Sequence, residues 1–240
     1  MVGSAIVRKI ENDGKHEWFG EPRSSLDLLN RNKVHEYVAK SKPDAIIIAA
    51  AKVGGILANN REPVAFLSEN LQIQTNLIDA AHKANIDKLL FLGSSCIYPK
   101  YAAQPIHEES LLSGPLEPTN EYYAIAKIAG LKLVQAYRKQ YGHNWISMMP
   151  TNLYGPGDNF DEMTSHVIPG MITKFRLAMA EGSNQVVLWG SGTPLREFLY
   201  VDDLAAACLF CLENYDGEEL LNVGSGEEVS IAQVAKIISG

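Results

Sequence analysis

The stretch KLLFLGSSC, residues 88–96, decides the fold of this chain. It contains an unbroken apolar run of strand length that ends at Gly93, where small polar residues follow. Residues 43–51 and 145–149 show the same continuous apolar character. Strands that are apolar along their whole length are typical of a parallel sheet that is covered on both faces.

Helical patterns lie between these strands. Residues 69–84 place Leu71, Thr75 and Ile78 on one stripe, and residues 120–141 form a second predicted helix. Strands that alternate with helices in this way predict a doubly wound α/β sheet with right-handed crossovers.

The composition of the sequence changes after about residue 155, where glycine, proline and polar loop residues cluster. The patterns there predict a helix over 164–181, a short strand over 186–189, a helix over 202–214, a strand over 220–223, and a helix over 231–239 that Ser230 caps. We therefore expect a main domain of residues 1–155 plus about 199–223. A smaller lobe of residues 156–198 plus 224–240 is expected to close over the carboxyl edge of the sheet.

Composition and charge exclude several classes of protein. The 240 residues are 46% apolar and 20% charged, as in an ordinary globular protein. A formal charge of −7 argues against nucleic-acid binding, and no apolar stretch of 18 residues predicts a membrane span. Three cysteines fit a reducing cytosol, so we expect a cytoplasmic protein. Cys208 and Cys211 lie in an apolar helical run, and we interpret them as core residues; no metal site is expected.

Three further residues indicate a catalytic site. Tyr123 and Lys127 lie four apart on one helix face, and Tyr123 follows Ser94 by 29 residues. A lysine ammonium about 4 Å from the phenol would favour the phenolate by roughly 4 kcal/mol, which lowers the tyrosine pKa by ~3 units. A serine hydroxyl at a strand end can hold a carbonyl oxygen beside that phenol. Together the three groups suit reduction of a ketone or the reverse reaction.

Seven blocks of sequence carry a resemblance along nearly the whole chain. They are AAAKVGG at 49–55, FLGSSCIYPK at 91–100, EPTN at 117–120, YAIAK at 123–127, PTNLYG at 150–155, SHVIP at 165–169 and WGSGTPLREF at 189–198. These blocks resemble the extended short-chain dehydrogenase/reductase family. More closely, they are similar to the branch that epimerises and reduces GDP-4-keto-6-deoxy-mannose to GDP-L-fucose.

The resemblance implies roles for five residues. Tyr123 is implied to donate a proton to the C4 oxygen of the sugar, while Lys127 lowers its pKa and binds the nicotinamide ribose. Ser94 is implied to orient the ketone. Cys96 and His166 are implied to exchange the acidified protons at C3 and C5, since a thiol and an imidazole have suitable pKa values for that step.

The implied cofactor is NADP(H). Arg23 follows a predicted second strand near Trp18 and Phe19, and a basic residue there can pair with a 2′-phosphate, which favours NADP over NAD. The full set of implied cofactor contacts is Met1, Val2, Gly3, Arg23, Ser24, Ser25, Leu26, Asp27, Leu28, Leu92, Gly93, Ser94, Ser95, Lys127, Pro150, Thr151, Asn152, Leu153 and His166.

The implied substrate is a GDP-sugar. Arg196 and Lys174 are candidates to neutralise its diphosphate, and Trp189 offers a flat surface to the guanine or the sugar. Members of the family commonly pair two long helices from each subunit, so a homodimer through residues 69–84 and 120–141 is expected.

The sequence departs from the family at its ends. The first strand of the family's Rossmann-like sheet and most of its G-x-x-G-x-x-G loop are missing, and the family continues well beyond Gly240. We therefore expect a truncated chain with an incomplete substrate lobe, which alone binds NADPH poorly and is inactive.

Two other functions stay open from the sequence. One is another activity of the same superfamily, such as UDP-sugar 4-epimerase or GDP-mannose 4,6-dehydratase. Dehydratases usually place an acid–glutamate pair just after the strand serine, where this chain has Ser95 and Cys96. The other is a non-catalytic NAD(P)-binding protein.

Overall fold

The computed structural model describes residues 1–161 and 164–240. Its helices are α1 (Val2–Asp13), α2 (Arg31–Ser41), α3 (Ile56–Arg61), α4 (Pro63–Lys83), α5 (Glu121–Tyr141), α6 (Val167–Ala180), α7 (Val201–Asn214) and α8 (Ile231–Ser239). Its strands are β1 (Ala45–Ile48), β2 (Lys88–Leu92), β3 (Asn144–Pro150), β4 (Asn152–Tyr154), β5 (Leu195–Tyr200), β6 (Leu221–Val223) and β7 (Glu228–Ser230). Residues 162 and 163 of the predicted smaller lobe lie outside the described residues.

The main sheet is parallel and has the strand order β1-β2-β3-β6. Ile48 of β1 lies opposite Phe91, and Leu92 of β2 lies opposite Met148 of β3. The carboxyl ends of the first three strands therefore meet at one edge. This arrangement confirms the predicted doubly wound α/β class.

Each face of the sheet carries its own apolar core. Leu89 and Phe91 point into the core that α2, α4 and α5 cover, while Leu90 and Leu92 point into the core of α1 and α7. The two faces of β2 are thus buried alike, which is why its sequence is apolar without alternation.

The buried face of α4 differs from the predicted stripe. The structure buries Asn70 and Gln74 ahead of Ile78, while Leu71 and Thr75 are half-buried. Both polar side chains have partners: Gln74 Nε2 donates to the carbonyl oxygen of Ala126 on α5 at 2.6 Å, and Asn70 Nδ2 donates to the oxygen of Phe66 at 2.7 Å. Hydrogen bonds of this kind allow a polar face to pack where apolar periodicity would not predict it.

The second sheet has the order β4-β5-β7, with β4 and β5 parallel and β5 and β7 antiparallel. The predicted strand over 186–189 is wrong: those residues are irregular, and Val187 and Trp189 are exposed. The predicted second strand near Trp18 and Phe19 is also wrong. Among the described residues β1 pairs with β2 alone, so this segment has no sheet neighbour, and both aromatic rings face solvent.

The last predicted helix is confirmed at α8. Ser230 Oγ accepts from the backbone nitrogen of Gln233 at 3.1 Å, and Gln233 Oε1 accepts from the backbone nitrogen of Ser230 at 2.8 Å, which completes a capping box. None of the helices within the described ranges combines the length and apolar character that a bilayer span requires.

Candidate active site

The chain leaves β2 through a glycine that the packing requires. A Cβ on Gly93 would lie 2.2 Å from Met149 Sδ on the neighbouring strand. Beyond it, Ser94 starts a single 3-10 turn over Ser95–Ile97, and Ser94 Oγ accepts from the backbone nitrogen of Cys96 at 3.3 Å. The strand end thus presents Ser94 and Cys96 from one short turn.

Tyr123, in the first turn of α5, meets this turn. Its phenol group lies close enough to the Ser94 side chain and to Cys96 for both to affect its pKa, which Ser94 lowers and Cys96 raises. The ring of Phe66 on α4 stands edge-on to the Tyr123 ring at a centroid distance of 6.3 Å. The structure therefore brings together three of the residues that the sequence singles out.

Lys127 lies one helical turn further along α5 and is 4% exposed. Its Nζ donates to the carbonyl oxygen of Leu92 at 2.8 Å and lies 5.9 Å from the centroid of the Tyr123 ring. Burial lowers the pKa of Lys127 to about 8. Lys127 is thus held beneath the site by the last residue of β2.

The predicted lowering of the Tyr123 pKa is wrong for this structure. Burial raises the pKa of Tyr123, the nearby Cys96 raises it further, and the hydrogen bond to Ser94 opposes both. The helix spacing alone did not show that the lysine would be buried and bonded to the main chain. The phenol therefore keeps its proton at neutral pH, which is the form that a proton donor needs.

Cys96 has a second neighbour that the sequence did not indicate. Asn120 Nδ2 donates to Cys96 Sγ at 3.3 Å. Burial raises the pKa of the Cys96 thiol, opposed by hydrogen bonds to the Ser94 side chain and to its own backbone. In the sequence analysis, Asn120 appears only as the first residue of the predicted helix 120–141 and as the last residue of the EPTN block.

His166 occupies the N-cap position of α6 and is exposed. The segment before it docks on the loop after β1, since the backbone nitrogen of Gly55 donates to the oxygen of Thr164 at 3.1 Å. A Cβ on Gly55 would lie 2.7 Å from the Ser165 oxygen. Within the described ranges, the structure does not bring the His166 imidazole into contact with Cys96.

The predicted contacts after β3 lie where the two sheets meet. The backbone nitrogen of Thr151 donates to the oxygen of Val223 at 3.1 Å, and Asn152 Nδ2 donates to the oxygen of Glu197 at 2.9 Å. Thr151 Oγ1 is buried and has no partner among residues 1–161 and 164–240. A buried hydroxyl without a partner is uncommon, so Thr151 is a candidate to contact a bound group.

The predicted adenosine contacts divide into exposed and packed residues. The Arg23 side chain is 77% exposed, and its Nη2 lies 3.9 Å from Glu69 Oε2. Glu69 is shared with Lys52, whose Nζ lies 3.7 Å from Oε1. Leu26 and Leu28, by contrast, pack against the core beneath α2 and α4. Arg23 is thus the member of this segment that is available to an anion.

Of the three predicted substrate residues, Lys174 and Trp189 lie against each other, and Arg196 lies on a different element. Lys174 Nζ lies 4.6 Å from the centroid of the Trp189 ring, and Trp189 is 70% exposed. Arg196 lies on β5, where its Nη1 donates to the neighbouring oxygen of Leu195 at 2.6 Å. The structure records no contact between Arg196 and the Lys174–Trp189 pair.

Comparison with known proteins decides the family. Residues 1–224 match the model of the NAD dependent epimerase/dehydratase family. The chain belongs to this family. Similar members align with almost all of this chain over about three quarters of their own length.

Two curated relatives and one solved structure of the epimerase/dehydratase family are similar to the chain. GDP-L-fucose synthase 1 of Arabidopsis thaliana is 55% identical over 238 residues, which is 99% of this chain and 74% of that protein. GDP-L-fucose synthase of Escherichia coli K12 is 50% identical over 248 residues, or 100% and 77% of the two chains. A GDP-L-fucose synthetase from Naegleria fowleri bound to NADP superposes with a TM-score of 0.91 at 33% identity, covering 99% of this chain and 73% of that chain.

The residues present fit the dinucleotide that this family's name implies. The Thr151 hydroxyl is buried without a partner in the described part of the chain, and the Arg23 guanidinium is exposed beside one distant carboxylate. The first turn of α1, where Met1 is the N-cap and Gly3 follows, carries no acidic side chain that would repel a phosphate. A Cβ at Gly3 would meet nothing within 4 Å, so the surface there is open.

The buried ammonium of Lys127 makes a testable contribution to stability. Its pKa falls from 10.5 in the unfolded chain to about 8 in the folded protein. Below pH 8 the folded state must hold the charge, so its burial is destabilising there. Between pH 8 and 10.5 the unfolded state binds more protons, and stability rises with pH.

We expect Lys127→Met to reveal this dependence. The free energy of unfolding of the variant minus that of the native protein should fall by on the order of 3 kcal/mol between neutral pH and pH 10.5. Denaturant unfolding at a series of pH values measures the difference. Lys132→Met, on the exposed face of the same helix, is the matched control. An equal difference at every pH would contradict the assignment.

Proposed function

We propose that this protein epimerises C3 and C5 and reduces C4 of GDP-4-keto-6-deoxy-D-mannose with NADPH, giving GDP-L-fucose. The observation that carries the proposal is the cluster of Ser94, Cys96 and Tyr123, in which the Tyr123 phenol lies close enough to both neighbours for each to shift its pKa. Relatives named GDP-L-fucose synthase, 50% and 55% identical over nearly the whole chain, support the substrate class.

Epimerisation comes first in the proposed sequence. The 4-keto group acidifies the protons on C3 and C5, so the Cys96 thiolate can remove one and leave an enolate. The hydroxyls of Ser94 and Tyr123 donate hydrogen bonds to its oxygen, which carries the charge. His166 then returns a proton to the opposite face of the same carbon, which inverts that centre. For this step His166 must approach the substrate from across the cleft.

Reduction follows at C4. The hydride comes from NADPH when that cofactor is bound, and Tyr123 donates its phenol proton to the C4 oxygen, so the carbonyl becomes a hydroxyl. The phenol is in the correct form at the start because burial keeps its pKa high. Lys127, close to the ring, stabilises the phenolate that remains until it regains a proton from solvent.

The cofactor and substrate would occupy the two sides of this cluster. On the cofactor side, Arg23 would pair with a 2′-phosphate and Thr151 would donate or accept at the nicotinamide end. On the substrate side, Trp189 and Lys174 would hold the guanine and diphosphate, with Arg196 as a further cation. The division into residues 1–155 plus about 199–223 and residues 156–198 plus 224–240 follows these two sides and remains a prediction.

Two finer properties belong to the same proposal. A homodimer through the outer faces of α4 and α5 is supported by the exposed apolar side chains of Val64, Tyr122 and Ile125, and a solution mass of twice 26.4 kDa tests it.

A cytoplasmic location is supported by the cysteines, all three of which are free thiols. Fractionation of cells tests this location.

The proposed activity is tested on the full-length protein by supplying GDP-4-keto-6-deoxy-mannose with NADPH and following the nicotinamide absorbance. We expect oxidation of NADPH, slower oxidation of NADH, and GDP-L-fucose as the product by NMR. UDP-glucose and GDP-mannose serve as controls for a 4-epimerase and a 4,6-dehydratase. Turnover of either control in place of the keto sugar would overturn the proposal. Titration calorimetry of NADPH on the same protein separates weak cofactor binding from a wrong substrate.

A further inference from the structure

We propose that Asn120 is a positioning residue for Cys96, which orients the sulfur and favours its thiolate form through the amide N–H. Asn120 would thereby act in epimerisation without touching the reacting carbon. The catalytic consequence rests on the proposed function, whereas the link between the two side chains rests on the structure alone.

The first support is the contact itself. Asn120 Nδ2 lies 3.3 Å from Cys96 Sγ, although the two residues are 24 apart in sequence and come from different elements. A hydrogen bond to a charged acceptor is about twice as strong as one to a neutral acceptor. The amide therefore stabilises the thiolate more than the thiol, and the pair favours loss of the proton.

The second support is the bond that Asn120 does not make. Asparagine at an N-cap normally accepts from the backbone nitrogen two or three residues on. Asn30 does so at α2, where its Oδ1 accepts from the backbone nitrogen of Lys33 at 3.1 Å. Asn120 holds the same position at α5 without a side-chain cap. Asn30 therefore caps α2, whereas the side chain of Asn120 bonds to the Cys96 sulfur and does not cap α5.

The third support is that Cys96 must lose its proton to act as a base. Cys96 is half-buried, and burial raises the pKa of its thiol. A general base must carry a useful fraction of the deprotonated form at the working pH. Asn120 Oδ1 is itself buried and has no partner in the described part of the chain. The amide is thus held by its contact with Cys96 rather than by another hydrogen bond.

The direct test measures the ionisation of Cys96. The rate of iodoacetamide alkylation is followed against pH, and the Cys96 peptide is quantified by mass spectrometry, because Cys208 and Cys211 are also free thiols. Asn120→Ala should move the midpoint for Cys96 upward by about one pH unit. Asn120→Asp, which places a negative charge by the sulfur, should move it further. Asn120→Ser, which can supply a helix cap that Asn120 does not make, should match Asn120→Ala.

The matched control is Asn30→Ala. It removes a working cap, so it should lower the melting temperature and leave the Cys96 midpoint unchanged. If Asn120→Ala and Asn120→Ser leave the midpoint where it is in the native protein, the proposal is overturned. An equal movement of the midpoint in Asn30→Ala would overturn it as well.

A catalytic readout separates this inference from the proposed function. Exchange of deuterium from D2O into C3 and C5 of the keto sugar is measured without NADPH. Asn120→Ala should slow exchange about 10-fold at neutral pH and recover at higher pH, where the thiol ionises without help. A slowing that is equal at every pH would overturn the proposal. If the native protein exchanges no deuterium but the alkylation midpoint still moves, the proposed function fails and the positioning role of Asn120 stands.

Discussion

Replacing Tyr123 with phenylalanine is expected to lower kcat for NADPH oxidation by about 10³-fold, the usual scale for loss of a general acid. The substitution keeps the ring that stands against Phe66 and removes only the hydroxyl that lies by Ser94. The C4 oxygen would then have to take its proton from water. Cofactor affinity and folding should change little, since no main-chain contact is lost.

The variant also separates the two halves of the proposed reaction. Deuterium exchange at C3 and C5 should be slowed much less than reduction, because Cys96 and His166 still move the protons and Ser94 still donates a hydrogen bond to the enolate oxygen. Tyr122→Phe is the matched control, since the neighbouring tyrosine is exposed on the same helix and should retain the native rate. Native turnover in Tyr123→Phe would remove the basis of the assignment. Equal loss of exchange and reduction would point instead to a disrupted site.

The core of the fold could be predicted from the sequence because the apolar pattern of each strand shows which of its faces are buried. Residues 89–92 are apolar without alternation, and this pattern required burial on both sides of β2. The meeting of Ser94 with Tyr123 followed from the same reasoning, since one lies at a strand end and the other at the start of the next long helix. The cap at Ser230 was equally visible as a short-range signal, although its reciprocal bond with Gln233 was not predicted.

Other features depend on tertiary contacts that no window of sequence contains. Asn70 and Gln74 are buried because each finds a distant backbone partner, Lys52 for Asn70 and Ala126 for Gln74, and only the folded arrangement provides it. The strands of the second sheet are mostly three residues long, too short for a periodicity to appear. The ionisation of Tyr123 was predicted in the wrong direction because spacing gives neighbours along a helix and not burial. The contact of Asn120 with Cys96 was missed for the same reason.

Replacing Cys96 with serine is expected to have the second large effect, a loss of about 10² to 10³-fold in deuterium exchange at C3 and C5. A serine hydroxyl ionises far less readily than a thiol, so the side chain cannot act as a base near neutral pH. It can still accept the hydrogen bond from Asn120. The volume and the position on the 3-10 turn are nearly unchanged, so folding should be preserved. The prediction therefore isolates proton abstraction from packing.

The product distribution makes the Cys96→Ser experiment decisive. Reduction without epimerisation should leave the C4-reduced sugar with its original configuration at C3 and C5, which NMR distinguishes from GDP-L-fucose. NADPH affinity by calorimetry should match that of the native protein. Cys211→Ser, at the other free and half-buried thiol, should change none of these measurements. Weaker NADPH binding with native exchange would mean that Cys96 supports the turn after β2 and is not the base.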